Sequence, residues 1–83
     1  MLMEFASLQV KLSLCGDEVV IEAAWNEHLV SVYGRPGRIK GALPDTPCTI
    51  AVTTKVVTIE GARGGKLEIQ LLARPEISIG EDE

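Results

Sequence analysis

Apolar and polar residues alternate one for one along four stretches of this chain. From Ser7 to Leu14, Leu8, Val10, Leu12 and Leu14 interleave with Ser7, Gln9, Lys11 and Ser13. Leu67, Ile69 and Leu71 interleave with Lys66, Glu68 and Gln70; Cys48, Ile50 and Val52 with Thr49, Ala51 and Thr53; Val57 and Ile59 with Val56, Thr58 and Glu60. A period of two sends successive side chains to opposite faces, so each stretch predicts a strand with one face on a core and one in water. Val, Ile and Thr supply 20 of the 83 residues, and their branched Cβ fits a pleat better than a helix. Turn chemistry separates the runs at Cys15-Gly16-Asp17, Gly34-Arg35-Pro36-Gly37, Pro44-Asp45-Thr46-Pro47 and Gly61-Ala62-Arg63-Gly64-Gly65.

One segment reads two ways. Asp17 could cap a helix near 17–29 that sets Ile21, Trp25, Leu29 and Val32 on one face. The consecutive β-branched residues Val19, Val20 and Ile21 instead favour two strands, Glu18 to Ala24 and Leu29 to Tyr33, joined by a turn at Asn26-Glu27. The expectation is an all-β fold, a small antiparallel β-sandwich or barrel of about six to seven strands, with an α+β fold as the alternative. At 83 residues the chain reads as a single β domain, 1–83, with a short acidic C-terminal tail over 80–83.

A chain this small buries only about 63% of its unfolded surface, so a disulfide, a metal or a partner is commonly needed in addition to the core. One histidine, His28, and two distant cysteines, Cys15 and Cys48, lack the spacing of a zinc site, and no metal or cofactor is expected. A Cys15–Cys48 bridge would contribute about 3 to 4 kcal/mol in the chain-entropy model, but both cysteines adjoin strand-like runs and read better as reduced core thiols. The first ten residues carry Glu4 and no basic stretch, unlike a secretory signal peptide. No run approaches the roughly 20 apolar residues of a membrane span. The expected place is the cytoplasm or an assembled particle.

Candidate chemistry is sparse. The stretch Gly61-Ala62-Arg63-Gly64-Gly65-Lys66 has the glycines and lysine of a phosphate loop, but Leu67 stands where Ser or Thr is needed and opens a strand, so a hairpin turn is the better reading. His28 could act as base to Cys15 or Cys48, yet no nucleophile signature surrounds either cysteine; no catalytic residue is assigned. Trp25 and Tyr33, with the loop from Gly34 to Lys40, are the candidates for a small-ligand site. They and Phe5 are the only aromatic side chains, so the core also claims them.

Charge is arranged in blocks. Residues 1–34 balance to −4, residues 35–74 hold seven of the eight basic groups and balance to +4, and residues 75–83 carry −4. The net charge of −4 disfavours nucleic acid as a partner. Asp17-Glu18-Val19-Val20-Ile21, with the spacing onward to Gly34, resembles the tryptophan-sensing RNA-binding attenuation rings, a likeness that implies a ring of small β-sandwiches. That family reads RNA with paired basic residues on a later strand, where this chain has Val57-Thr58-Ile59-Glu60-Gly61, and no RNA site is carried over. The basic loop Arg35, Arg38 and Lys40, with Arg63, is the expected contact surface. The functional expectation is a non-enzymatic structural or interaction module that associates with itself or with other protein subunits. It would belong to a larger assembly, a viral or phage particle among the kinds that fit; the alternative is a small-ligand binding domain.

Overall fold

The structure is a computed structural model and describes residues 3–81. Among the described residues nine strands follow one another: β1 (Met3–Ser7), β2 (Val10–Cys15), β3 (Glu18–Trp25), β4 (His28–Gly34), β5 (Pro36–Gly41), β6 (Cys48–Val52), β7 (Val56–Gly61), β8 (Lys66–Leu71) and β9 (Glu76–Glu81). They form two antiparallel sheets packed as a sandwich, a five-stranded one in the order β1-β6-β7-β8-β5 and a four-stranded one in the order β2-β3-β4-β9. The all-β expectation holds and its strand number is corrected from six or seven to nine. Among the described residues no helix is long and apolar enough to cross a membrane.

The helical reading of 17–29 is excluded. β3 and β4 pair from Val19↔Gly34 to Trp25↔His28, around a turn at Asn26 and Glu27 whose φ values are 48° and 65°. Two positive φ angles in a two-residue loop match the right-handed twist of the flanking strands, as in type I′ hairpins.

The stretch from Ser7 to Leu14 is two strands, and the reason is a change of phase. In β1 the odd residues Phe5 and Ser7 face the core. In β2 Val10 and Leu12 do, paired through Ala23 and Ile21 of β3 to Val30 and Val32 of β4. The Ser7 hydroxyl donates to the Gln9 carbonyl at 2.8 Å and accepts from the Gln9 amide at 3.1 Å, which satisfies a buried polar side chain and turns the backbone from one sheet to the other. Leu8, expected in the core, lies on the outside of that corner and is 73% exposed. Leu14 keeps core-facing parity opposite Val19, yet it ends an edge strand and is 69% exposed.

Between the sheets sit two rows of the five-stranded sheet, Phe5–Ile50–Ile59–Leu67 and Val52–Val57–Ile69, against Val19, Ile21, Ala23, Val30 and Val32 of the other. Trp25 packs on this core from the end of β3, its ring 5.6 Å from that of Phe5 and tilted by 40°. At the far end of the hairpin the sheets close on Gly34, where a Cβ would come within 2.8 Å of Leu71 Cδ1. A larger residue would have to push the Leu71 side chain aside, and the glycine lets β4 pass closely into β5 at the opposite sheet. Cys15 and Cys48 are both free; Cys48 is buried as expected of a core thiol, whereas Cys15 is exposed at the end of β2.

Candidate functional site

The residues expected to form the contact surface belong mostly to a strand rather than to a loop. Turn chemistry at Gly34-Arg35-Pro36-Gly37 suggested an exposed loop running to Lys40; instead Pro36 to Gly41 is β5, at the edge of the five-stranded sheet. Pro36 begins the strand where a missing N–H is tolerated, and the register slips between Pro36 and Arg38, so Gly37 is an extra residue in the ladder. From there Arg38 pairs with Gln70, Ile39 with Ile69, Lys40 with Glu68 and Gly41 with Leu67. Arg38 and Lys40 therefore share the outer face, while Ile39 continues the core row of Val57 and Ile69 to the rim of the sandwich, where it is 47% exposed.

Arg35 stands just before β5 and its guanidinium donates to the Asp17 carboxylate at 2.6 Å. That hydrogen bond, with the attraction between the charges, holds the Asp17 carboxyl below its ordinary range. Both side chains are exposed, so the pair positions the β2–β3 turn beside the β4–β5 corner more than it stabilises the fold. It is the one ion pair within 4 Å among the described residues, and Arg38 and Lys40 have no such partner there. Arg63 is carried by a different element, the exposed β7–β8 turn, whose glycines Gly61 and Gly65 lie against Pro44.

A second edge was missed in the sequence. Glu76 to Glu81 forms β9, pairing with β4 from Tyr33↔Glu76 to His28↔Glu81, so part of the expected tail is strand and residues 82–83 lie outside the described residues. The alternation was legible there: Ile77 and Ile79 follow Val32 and Val30 toward the core, and Glu76, Ser78 and Gly80 face out. Ile77 packs against the core, and Ile79 is 53% exposed. Of the remaining edges, β1 buries its core-facing Phe5 and Ser7, and β2 ends on exposed Leu14.

Trp25 and Tyr33 do not share a site. Trp25 points to Phe5 between the sheets, whereas Tyr33 has the opposite parity to buried Val32 and lies on the outer face beside Val20 and Glu76. Trp25 does line a shallow groove of ≈ 280 Å³ with Ala6, Leu8, Ala24, Asn26 and Pro47.

Cys15 and the imidazole are also separated. Cys15 pairs with Glu18 at one end of β3 and His28 with Trp25 at the other, so about 23 Å of strand at 3.3 Å per residue lies between them. Cys48 faces the core beside Ser7, and burial pushes its thiol pKa up, which favours the unreactive protonated form. Among the described residues no three His, Cys, Asp or Glu side chains converge as a metal-ligand set. No family model, curated protein or solved structure matches this chain.

Proposed function

We propose that this protein is a non-enzymatic interaction module that associates with itself and serves as a subunit of a larger assembly. The observation that carries this reading is the state of the sheet edges. β5 and β9 each end a sheet with unpaired backbone groups, and each leaves a core-facing isoleucine, Ile39 or Ile79, about half in water. An open edge with an uncovered apolar rim is a template for pairing with another chain, and a second copy covers it without new chemistry. The basic outer face of β5, Arg38 and Lys40, marks the same edge that the sequence singled out for contacts. The separation of Cys15 from His28 and the buried, protonated thiol of Cys48 support a role without catalysis.

The groove beside Trp25 favours a second reading, a small-ligand binding domain. At ≈ 280 Å³ it is smaller than the roughly 300–1,000 Å³ of ordinary ligand pockets, and its one charged side chain, Glu27, is exposed on the turn, so it ranks below the edges. Molar mass measured by light scattering over a range of concentrations tests the leading reading. Mass rising above 8.9 kDa with concentration is expected. A monomer at every concentration would remove it and direct attention to ligand screening at the Trp25 groove.

A further inference from the structure

We propose that β5 of one copy pairs with β9 of the next, so that the five-stranded sheet of each subunit continues into the four-stranded sheet of its neighbour. This rests on the self-association reading and adds to it the two edges, their order and their register. Four edges are available, and their composition separates them. β1 has its core-facing residues already covered; β2 leaves Leu14 uncovered but offers Lys11 alone, against two basic groups on the outer face of β5. β5 and β9 carry the uncovered isoleucines and opposite charges, Arg38 and Lys40 on one and Glu76 on the other.

Charge then decides which edges meet. Pairing β5 with β5 sets Arg38 and Lys40 against their own copies, and pairing β9 with β9 gathers the carboxylates; like charges facing across adjacent strands are unfavourable. Pairing β5 with β9 opposes the signs. Because the two patches differ, the contact either repeats head-to-tail around a ring or along a filament, or closes a two-fold dimer in which both joints form at once. An antiparallel register with Ile39 opposite Ile77 of the neighbour sets Lys40 against Glu76, Arg38 beside Ser78, and Ile79 at Gly37, next to the exposed Leu72 side chain that lies against that glycine. Shifting the register so that Ile39 meets Ile79 sets Lys40 against Ser78 and Arg38 against Gly80, and loses the charge pair. In the favoured register the half-exposed isoleucines extend both cores across the joint, and Lys40 gains a carboxylate on the outer face.

A charge exchange tests this. By sedimentation velocity, Lys40→Glu and Glu76→Lys are each expected to raise the dissociation constant about tenfold or more, because every joint then faces like charges. The double variant K40E/E76K restores opposite charges at every joint and is expected to return close to the wild-type value. Lys40→Glu also faces Glu68 within its own chain, so a second pair of variants makes the test independent of that strain. Ile39→Lys blocks β5 and Ile79→Lys blocks β9; each alone is expected to be monomeric, and an equimolar mixture is expected to form dimers and nothing larger, through the one intact edge on each. Circular dichroism verifies that each variant keeps its β-spectrum. Wild-type protein that never associates would overturn both the pairing and the functional reading. Wild-type protein that associates, with a double variant no better than the singles or mixed variants that stay monomeric, would overturn the β5–β9 pairing alone.

Discussion

The same substitution, isoleucine to alanine, should have very different consequences at two positions in the five-stranded sheet. Ile59 sits at the middle of β7, between Ile50 and Leu67, and is 0% exposed. Removing its buried carbons loses their transfer energy and leaves a cavity that flanking strands cannot fill, a cost of about 2–5 kcal/mol. Folding free energies of about 0.05–0.15 kcal/mol per residue give a chain of this length roughly 4–12 kcal/mol in all. A mid-range loss of about 3 kcal/mol then lowers the thermal midpoint by about 12–24 °C. Ile39 lies on β5 with about half its surface already in water. Fully burying an isoleucine gives about 1.5–3 kcal/mol, so Ile39→Ala should cost only about 1 kcal/mol, or about 4–8 °C, in the monomer. Urea unfolding followed by circular dichroism, in dilute protein where association is absent, measures both. Equal costs at the two positions, or a larger one at Ile39, would refute the placement of β5 at an open rim. At higher concentration Ile39→Ala should also weaken association, whereas Ile59→Ala should act on folding alone.

Other consequences are specific to single residues. In native protein a thiol reagent should modify Cys15 alone, and both thiols only in denaturant, which mass spectrometry reads directly; rapid native labelling of Cys48 would contradict its burial. Since burial raises the Cys48 thiol above its ordinary value of 9.0, its protonated form stabilises the fold below that pH. Stability should fall as pH rises beyond it, and Cys48→Ala should flatten that part of the profile. Glu27→Gly should stabilise the protein by roughly 0.5–1 kcal/mol, because Glu27 holds φ at 65°, where a side chain is strained and glycine is not. Gly41→Ala should destabilise β5, since Gly41 has φ of 92° and its added Cβ would collide with the Lys66 carbonyl; an unchanged thermal midpoint would argue against the β5–β8 pairing.

The strands that the sequence displayed best are those with one face buried along their whole length. Cys48 to Val52, Val56 to Gly61 and Lys66 to Leu71 occupy the middle of a sheet, where the pleat and the core impose alternation on every residue. Edges obey weaker rules. β5 carries Pro36, Gly37 and Gly41, residues that mark turns, because an edge strand need not donate every N–H and tolerates a bulge. The corner at Ser7 to Gln9 was hidden because Ser7 and Leu8 exchange the roles their polarity suggests: the serine is buried with its own hydrogen bonds, and the leucine is exposed. Of the candidate contact residues, Arg35, Arg38 and Lys40 lie on or beside one edge, as their spacing allowed. The apolar half of that edge, Ile39 with Ile77 and Ile79 on the other, could be recognised only after the strand order was known, because exposure at a rim depends on what lies across the sandwich.

The most direct test of the account is backbone amide hydrogen exchange as a function of protein concentration, resolved by residue. The amides of β5, from Gly37 to Gly41, and of β9, from Ile77 to Gly80, should slow together as concentration rises, while those of β1 and β2 keep their rates. Exchange in β5 and β9 that does not change with concentration, or protection that grows at β1 or β2 instead, would contradict it.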